Sequence, residues 1–232
     1  MKFIKLFNEQ TEFDAAKGTL YNPNVSYIKG NGGVYSLGYT YVDLGLTSGT
    51  LWAKCIVGAE KETDYGFYFQ WGDIKNKSNA VCDWTTYKHC EGTYNSLKKY
   101  NTADGKTTLE SEDDAATQIM GDEWRMPTRD EFQELLDNTD NEWIEDFNGS
   151  GVNGRKFTSK INGNSIFIPA SGVRSGSAFC YQGIFSQVWS SSLVTESPSF
   201  AWNLYFNSGG ISAHSTSGRY FRFAVRGVTE CR

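Results

Sequence analysis

Residues able to carry out acid–base or nucleophilic chemistry are sparse in this sequence. The two histidines, His89 and His214, do not stand at a spacing from a serine or cysteine that is known for a catalytic triad. They are also too few for a metal site built from histidine ligands. Two carboxylates could meet in space to hydrolyse a glycoside, but nothing singles out a pair. We therefore expect a protein that is not an enzyme.

Cation binding is the second chemistry to consider. Four carboxylates fall close together at Glu110, Glu112, Asp113 and Asp114, but they lack the glycine and the ligand spacing of an EF-hand loop. The run is more typical of a solvated helix N-terminus, where negative charge is favourable. We expect no cofactor, and the sequence leaves a structural calcium ion open.

Cysteine chemistry is limited by number and spacing. The chain has five cysteines, an odd number, and no Cys-x-x-Cys pair. Such scattered residues favour free thiols over a disulfide framework or a zinc site. This is the usage expected of a chain synthesised in a reducing cytoplasm.

Charge and hydropathy limit the partners. A net charge of -5 and a pI near 5.2 argue against a nucleic-acid partner, which would require a basic face. No stretch approaches the roughly 20 apolar residues of a membrane span. The first residues, "MKFIKLFNEQTEF", lack the apolar region of a secretory signal. We expect neither nucleic-acid binding nor membrane insertion.

One segment has a composition typical of binding surfaces. Between Ser171 and Val228, aromatic residues alternate with serine, glycine and asparagine, and the only charged residues are Arg174, Glu196, Arg219, Arg222 and Arg226. Aromatic rings give contact area at a low cost in entropy, and small polar residues give adaptable hydrogen bonds. The alternative is a Ser/Gly-rich sheet whose aromatic residues are all core.

Period-2 alternation divides these aromatic residues between two faces. In "FAWNLYFN" it places Trp202, Leu204 and Phe206 on the core face and Asn203 and Tyr205 on the other. In "RYFRFAVRG" it places Phe221, Phe223 and Val225 opposite Tyr220, Arg222 and Ala224. For Tyr205 and Tyr220 the pattern leaves core packing and ligand binding equally open.

The elements that must position this segment follow from turn and cap signals. Thr128 and Glu131 form a capping box before an amphipathic helix, and a second helix is predicted between a Ser111 cap and Gly121. Asn162-Gly163 predicts a hairpin turn. Residues 75–106 form a long polar connection, with Trp84 and Tyr87 as expected anchors. Residues 1–38 are predicted to form a small module with a helix and a β-hairpin, and residues 39–232 the ligand-binding domain.

Several pieces, taken in order, resemble one family. "VDLGLTSGTLWAKCIVGA", "DYGFYFQWGD", "GDEWRMPTRDEFQELL", "VNGRKFTSKINGNSIFIPASGVR", "VWSSSL", "AWNLYFNSGG" and "GRYFRFAVRGV" resemble the Fibrobacter-type major paralogous domain of gut Bacteroidetes and their phages. That domain is similar to formylglycine-generating enzymes and to variable proteins of diversity-generating retroelements. The resemblance implies an α+β C-type lectin-like fold with two helices and a strand-rich C-terminal half.

The resemblance also implies which positions face a ligand. The implied variable positions, together with the neighbouring Arg222, are Phe179, Tyr181, Val188, Phe200, Asn203, Tyr205, Ser212, His214, Ser215, Tyr220, Phe221 and Arg222. The alternation agrees for Asn203, Tyr205 and Tyr220 and disagrees for Phe221, which it places inward.

Two activities of related proteins are not carried over. Formylglycine-generating enzymes need a cysteine pair, and Cys180 stands alone in its segment. Calcium-bridged sugar binding needs Glu-Pro-Asn and Trp-Asn-Asp signatures, and this chain has "ESPS" and "WNL" instead.

The resemblance therefore implies a binding protein rather than an enzyme. The first expectation is a retroelement-diversified phage tail adhesin, made in the cytoplasm and located in the virion, that binds a protein or glycan receptor on a bacterial surface. The alternative is a fixed-specificity bacterial surface adhesin or glycan-binding module. A homo-oligomer is left open.

Overall fold

The computed structural model describes residues 5–6, 25–29, 34–76, 81–175 and 178–230. For residues 5–6, 25–29, 34–38 and 175 it describes the backbone alone. Within these ranges two α-helices are present, α1 (Ala115–Met120) and α2 (Arg129–Asn138), together with one 3-10 turn at Phe147–Gly149. Neither helix is long and apolar enough to span a membrane.

Sixteen strands account for most of the regular structure of the described residues. They are β1 (Lys5–Leu6), β2 (Val25–Lys29), β3 (Val34–Tyr39), β4 (Tyr41–Asp43), β5 (Thr50–Ile56), β6 (Tyr68–Gln70), β7 (Thr139–Ile144), β8 (Gly154–Ser159), β9 (Ser165–Pro169), β10 (Val173–Ser175), β11 (Ala178–Cys180), β12 (Phe185–Leu193), β13 (Phe200–Asn207), β14 (Ile211–Gly218), β15 (Arg222–Ala224) and β16 (Arg226–Glu230).

The fold class differs from the α+β class expected from the sequence. Strands hold about 40% of the described residues and helices about 10%, so the chain is mostly β and the α+β prediction is wrong. The C-type lectin-like fold expected with it is not confirmed. The physical reason is that, among the described residues, two short segments carry a side-chain N-cap and form helices, whereas the aromatic segments interrupted by glycine pair as strands.

The largest sheet has seven strands, and six of them come from the segment between Ser171 and Val228 that has the composition of a binding surface. Its order is β11-β10-β15-β12-β13-β14, and β6 pairs with β15 beside that path. The pairs are antiparallel except for β12 with β15. Three further sheets have the orders β1-β3-β2, β16-β5-β4 and β7-β8-β9.

Hydrophobic cores lie on both faces of the seven-stranded sheet. The first core contains Val188, Leu204 and Ala224, which are neighbours across β13, β12 and β15. The second core contains Trp189, which follows Val188 in β12, and Phe223, which precedes Ala224 in β15. The rings of Trp189 and Phe223 lie 4.3 Å apart. Because successive side chains of a strand point to opposite faces, the middle of this sheet is buried on both sides.

The helix caps test the sequence prediction directly. The Thr128–Glu131 capping box is present at the start of α2, as predicted. At α1 the predicted Ser111 cap is wrong, because the cap is Asp114, whose carboxylate accepts a hydrogen bond from the Thr117 amide. Gly121 ends this helix as expected.

The two predicted hairpins are confirmed. Strands β8 and β9 pair across a turn that contains Gly163 at a φ of 77°, a conformation that glycine adopts without steric cost. Strands β2 and β3 pair antiparallel in the segment predicted to form a small N-terminal module. The helix predicted in that module lies outside the described residues.

Candidate ligand-binding surface

The twelve positions implied as ligand-facing divide first by burial. Val188 and Asn203 have no exposed surface and Arg222 is 1% exposed, so the structure removes these three from the candidate surface. Val188 belongs to the first core. Arg222 lies in β15, a central strand with neighbours on both sides. The alternation placed Asn203 and Arg222 on the face away from the core, but neither is solvent-exposed, because the middle of the sheet is covered on both faces.

Asn203 has a structural role that its position in the strand explains. It pairs with Trp189 of β12 on one side and with Ser215 of β14 on the other. Its side chain accepts a hydrogen bond from Gln187 Nε2 at 3.2 Å and donates to Ser217 Oγ at 3.3 Å. This polar bridge ties three strands together, so Asn203 stabilises the scaffold.

Three of the remaining positions, Phe200, Tyr220 and Phe221, line one cavity of about 370 Å³, which we call the aromatic groove. Two further rings of the groove, Trp84 and Tyr94, come from the long polar connection. The groove thus joins three segments that are far apart in sequence. None of the described residues that line it is charged.

Close ring contacts and backbone hydrogen bonds hold the groove in place. The Tyr220 ring stacks on Phe221 with centroids 4.3 Å apart and lies 5.1 Å from the Trp84 ring. The backbone carbonyl of Tyr220 accepts hydrogen bonds from Gln70 Nε2 at 3.0 Å and Cys82 Sγ at 2.8 Å. Phe221 packs against the second core, which explains why it is half-buried rather than fully inward or fully exposed.

A buried arginine connects the two walls of the groove. The guanidinium of Arg219, next to Tyr220, lies among the rings of Trp71, Tyr87 and Tyr100. It donates to the Tyr87 hydroxyl and to three backbone carbonyls, those of Lys99, Tyr100 and Pro198, at 2.7–3.0 Å. The long connection is thereby fastened to the β14–β15 turn, and Tyr87 is the anchor that the sequence predicted.

A second group of exposed aromatic residues surrounds the β11–β12 turn, and we call it the aromatic ridge. Its outermost side chains, Phe179, Tyr181 and Ile184, are 51%, 58% and 60% exposed. Phe179 contacts Tyr68 edge to face at 5.2 Å, and the Arg174 guanidinium lies 4.8 Å from its ring. These contacts orient the Phe179 ring and leave much of it open to solvent.

The ridge continues inward through Phe185. This ring lies 5.1 Å from the Tyr181 ring and 5.7 Å from the Tyr205 ring, so Tyr205 is the inner end of the ridge. Tyr181 has a φ of 65°, which is uncommon for a residue other than glycine. Strained backbone of this kind is often found at functional sites.

The third group, on strand β14, does not join the other two. His214 is exposed, lies 6.0 Å from the Trp202 ring and is 3.1 Å from Gln133 Oε1 of α2. The Ser212 hydroxyl accepts a hydrogen bond from the His214 amide, and Ser215 is half-buried beside Asn203. These three residues are accessible in part, but their contacts are with helix α2 and strand β13.

The acidic run does not offer a free cation site. Oxygens of Glu110, Glu112 and Asp113 lie within 4.8 Å of one another, and Lys99 Nζ lies 2.6–2.7 Å from all three carboxylates. A lysine ammonium therefore holds the position where calcium would bind. Asp113 and Asp114 are 2% and 3% exposed, so the expectation of a solvated helix end is wrong for these two residues.

Asp113 is the buried member of this cluster. Burial by itself would raise the pKa of its carboxyl, but hydrogen bonds from Lys88, Lys99 and Tyr100 lower the pKa to about 2. His89 Nε2 lies 3.4 Å from the same carboxylate, and burial lowers the pKa of His89 below its ordinary value. All of these partners belong to the long connection that also supplies Trp84 and Tyr94, so Asp113 holds that connection in place.

A larger cavity of about 500 Å³ lies beside α1, and two of its charged groups, Asp114 and Arg125, hold the chain through hydrogen bonds and an ion pair. The carboxylate of Asp114 accepts hydrogen bonds from the amides of Thr117 and Met126, and burial raises its pKa. Arg125 forms an ion pair with Glu131 at 2.6 Å. These contacts tie Arg125 and Met126 to the two helices.

Comparison with known families shows which family the domain belongs to. The family model described as the Lcl C-terminal domain matches residues 45–228, which is most of the chain. The chain belongs to this family. Membership indicates that this Lcl-type domain is a ligand-binding module of the adhesin type. Searches of curated proteins and of solved structures gave no match.

Sequence reasoning missed several residues of the surface in this Lcl-type domain. Tyr94 lies in the polar connection and Ile184 in the β11–β12 turn, and neither belongs to a recognisable pattern. A usable signal is a large apolar residue isolated within a run of polar ones, as in "EGTYNS". The four cysteines of the described residues, Cys55, Cys82, Cys90 and Cys180, form no disulfide, as predicted.

Proposed function

We propose that this chain is a non-enzymatic receptor-binding protein that uses the aromatic groove and the aromatic ridge. The observation that carries the proposal is the exposure of Phe179, Tyr181 and Phe200, at 51%, 58% and 42%, beside a sheet whose middle strands are buried on both faces. Large exposed aromatic groups are costly unless they meet a partner, and such groups dominate binding energy at protein interfaces.

The separation of surface from scaffold supports the finer part of the proposal. Ala201, Leu204 and Phe206 of β13 are fully buried, while Phe200 at the start of the same strand is 42% exposed. Substitutions at exposed positions therefore leave the packing of the strand unchanged. We propose that this tolerance serves a retroelement-diversified variable protein acting as a phage tail adhesin, with a bacterial surface receptor as partner.

The distribution of natural variation tests this proposal. Sequencing the gene and its flanks from independent isolates should reveal differences between codons 178 and 224, at positions matching adenines of a nearby template copy. Variation is expected at Phe179, Tyr181, Phe200, Tyr220 and Phe221, and Val188, Asn203 and Arg222 should stay constant. Uniform sequence without a template would contradict diversification and leave a fixed-specificity adhesin of a bacterial surface.

A cell-binding experiment tests the binding role itself. The labelled full chain is expected to bind intact bacteria that carry the receptor. The double change Tyr181→Ala and Phe200→Ala should lower the binding at least tenfold. The matched control Tyr41→Ala removes an aromatic residue that is 50% exposed but lies outside both surfaces. Equal loss of binding in the control would contradict the assignment of the surface.

A further inference from the structure

We propose that the aromatic groove binds a single aromatic or large aliphatic side chain of a protein receptor, rather than a sugar or a charged group. The inference rests on the proposed binding function and names the chemistry of the partner. It follows from the lining of the groove, from its size and from the way its walls are fixed.

The lining of the groove selects against charged and hydroxyl-rich partners. Five aromatic rings, those of Trp84, Tyr94, Phe200, Tyr220 and Phe221, supply most of the wall, with Ser199 between them. A charged group entering the groove would lose its hydration and meet no opposite charge among the described lining residues, and for a cation the ring faces would offset only part of that loss. A sugar carries hydroxyls around its whole edge, and each needs a partner when buried, whereas ring faces offer few.

The size of the groove suits one side chain. Its volume of about 370 Å³ lies near the lower end of the range of ~300–1,000 Å³ that is typical of small-ligand sites. A large side chain inserted into such a pocket is the usual anchor of a protein interface. The rings of Tyr94 and Phe200 at the groove are 56% and 42% exposed, so an inserted side chain would also cover apolar surface that is now open to water.

The groove needs little rearrangement to receive this anchor. Arg219 fastens the connection carrying Trp84 and Tyr94 to the turn carrying Tyr220 and Phe221. Trp84 is fixed further by Tyr87, whose ring lies 5.5 Å away at 90°. Walls that are ordered before binding lower the entropy that binding must overcome.

Small probes separate the three kinds of occupant. Saturation-transfer NMR on the full chain would use N-acetyl-L-tryptophanamide as the side-chain probe, methyl β-D-glucopyranoside as the sugar probe and tetramethylammonium as the cationic probe. We expect the strongest signal from the tryptophanamide, with a Kd in the millimolar range, a weaker one from tetramethylammonium through contact with the ring faces, and none from the glucoside. A stronger response from the glucoside or from tetramethylammonium, or no response from the tryptophanamide, would overturn the inference.

Two variants locate the binding in the groove. Ser199→Trp places a large ring inside the groove and should remove the tryptophanamide signal. Ser208→Trp makes the same change at an exposed position between β13 and β14, outside the groove, and should keep the signal. Phe200→Ala, which removes one wall without filling the groove, should weaken the signal at least threefold. Persistence of the full signal in both groove variants would contradict the assignment.

The outcome separates this inference from the proposed function. A chain that binds receptor-bearing cells, but no tryptophanamide, keeps its receptor-binding role and contradicts the side-chain occupant. Protease treatment of the cells should abolish binding of the chain, and periodate oxidation of their glycans should leave it unchanged. The reverse pattern would overturn the inference while supporting the receptor-binding function.

Discussion

Arg219 Nε donates a hydrogen bond of 2.7 Å to the Tyr87 hydroxyl, and the guanidinium also lies over the Tyr87 ring at 5.1 Å from its centroid. These residues are 132 positions apart in the sequence. A single buried cation thus joins the long polar connection to the strand-rich C-terminal segment. The geometry of the aromatic groove depends on this contact, because one wall comes from each side of it.

Replacing Arg219 should destabilise the whole domain. Arg219→Met leaves the Tyr87 hydroxyl and three backbone carbonyls, one buried and two part-buried, without their donor, so we expect the free energy of unfolding to fall by about 3–5 kcal/mol. Tyr87→Phe removes one hydroxyl and should cost about 1–2 kcal/mol. Urea unfolding followed by tryptophan fluorescence measures both, and equal small losses would show that Arg219 is not the central contact.

Calcium should not stabilise the natural protein. The ammonium of Lys99 holds the position between Glu110, Glu112 and Asp113, so neither calcium nor a chelator should shift the thermal midpoint. Lys99→Ser opens that position, and calcium should then raise the midpoint of the variant. Lys106→Ser, which removes a lysine paired with Glu110 alone, is the control and should stay insensitive. A calcium-dependent midpoint in the natural protein would contradict this assignment.

Acid should weaken the fold within a defined pH window. The pKa of Asp113 is about 2 in the folded protein, below the value of about 3.9 for an unfolded aspartate. The unfolded chain therefore binds the proton more readily, and the stabilisation is complete above about pH 4 and lost as the pH falls toward 2. Asp113→Asn should flatten the dependence of urea midpoint on pH in this window. Glu91→Gln, at an exposed ion pair with Lys98, should leave it unchanged.

Glycine at position 181 should be better tolerated than alanine. Tyr181 has a φ of 65°, where a Cβ atom costs roughly 1–2 kcal/mol. Tyr181→Gly and Tyr181→Ala both remove the ring, but only the glycine variant relieves this strain. We expect the glycine variant to be more stable than the alanine variant by about 1 kcal/mol, measured by thermal unfolding. The opposite order would show that the turn relaxes without strain.

Asn203 should affect stability and Phe179 should affect binding. Asn203→Ala removes the bridge between Gln187 and Ser217 inside the sheet and should cost about 1–3 kcal/mol of unfolding free energy. Phe179→Ala removes a ring that is 51% exposed and should change stability by less than about 1 kcal/mol while weakening receptor binding. Loss of binding without loss of stability for Asn203→Ala, together with loss of stability for Phe179→Ala, would contradict the assignment of Asn203 to the scaffold and Phe179 to the binding surface.

Local signals in the sequence predicted local structure well. The capping box at Thr128 and Glu131 and the turn containing Gly163 depend on hydrogen bonds and φ angles within a few residues, and both are confirmed. The Ser111 cap failed because three successive carboxylates compete for one helix end. Asp114 caps the helix, while Asp113 is drawn to Lys99 from elsewhere in the chain.

Burial could not be predicted from alternation alone. The two-residue period assigned opposite faces to Phe223 and Ala224, and they do belong to different cores. It could not show that both faces are covered, because the second core includes Trp71, Tyr100 and Trp124 from distant segments. Arg222 and Asn203 were therefore placed on a surface that the folded protein does not expose. The groove was hidden for the same reason, since two of its rings come from the long connection.

The division of the aromatic groove between distant segments would set a limit on what the proposed diversification could achieve. Trp84 and Tyr94 lie outside residues 178–224, so they would be inherited unchanged by every variant, while Phe200, Tyr220 and Phe221 could be exchanged. Diversified variants would then differ in which apolar side chain they bind best, and all of them would retain the preference for an apolar partner that Trp84 and Tyr94 impose. A host could escape such a lineage most durably by removing the apolar group that the constant half requires.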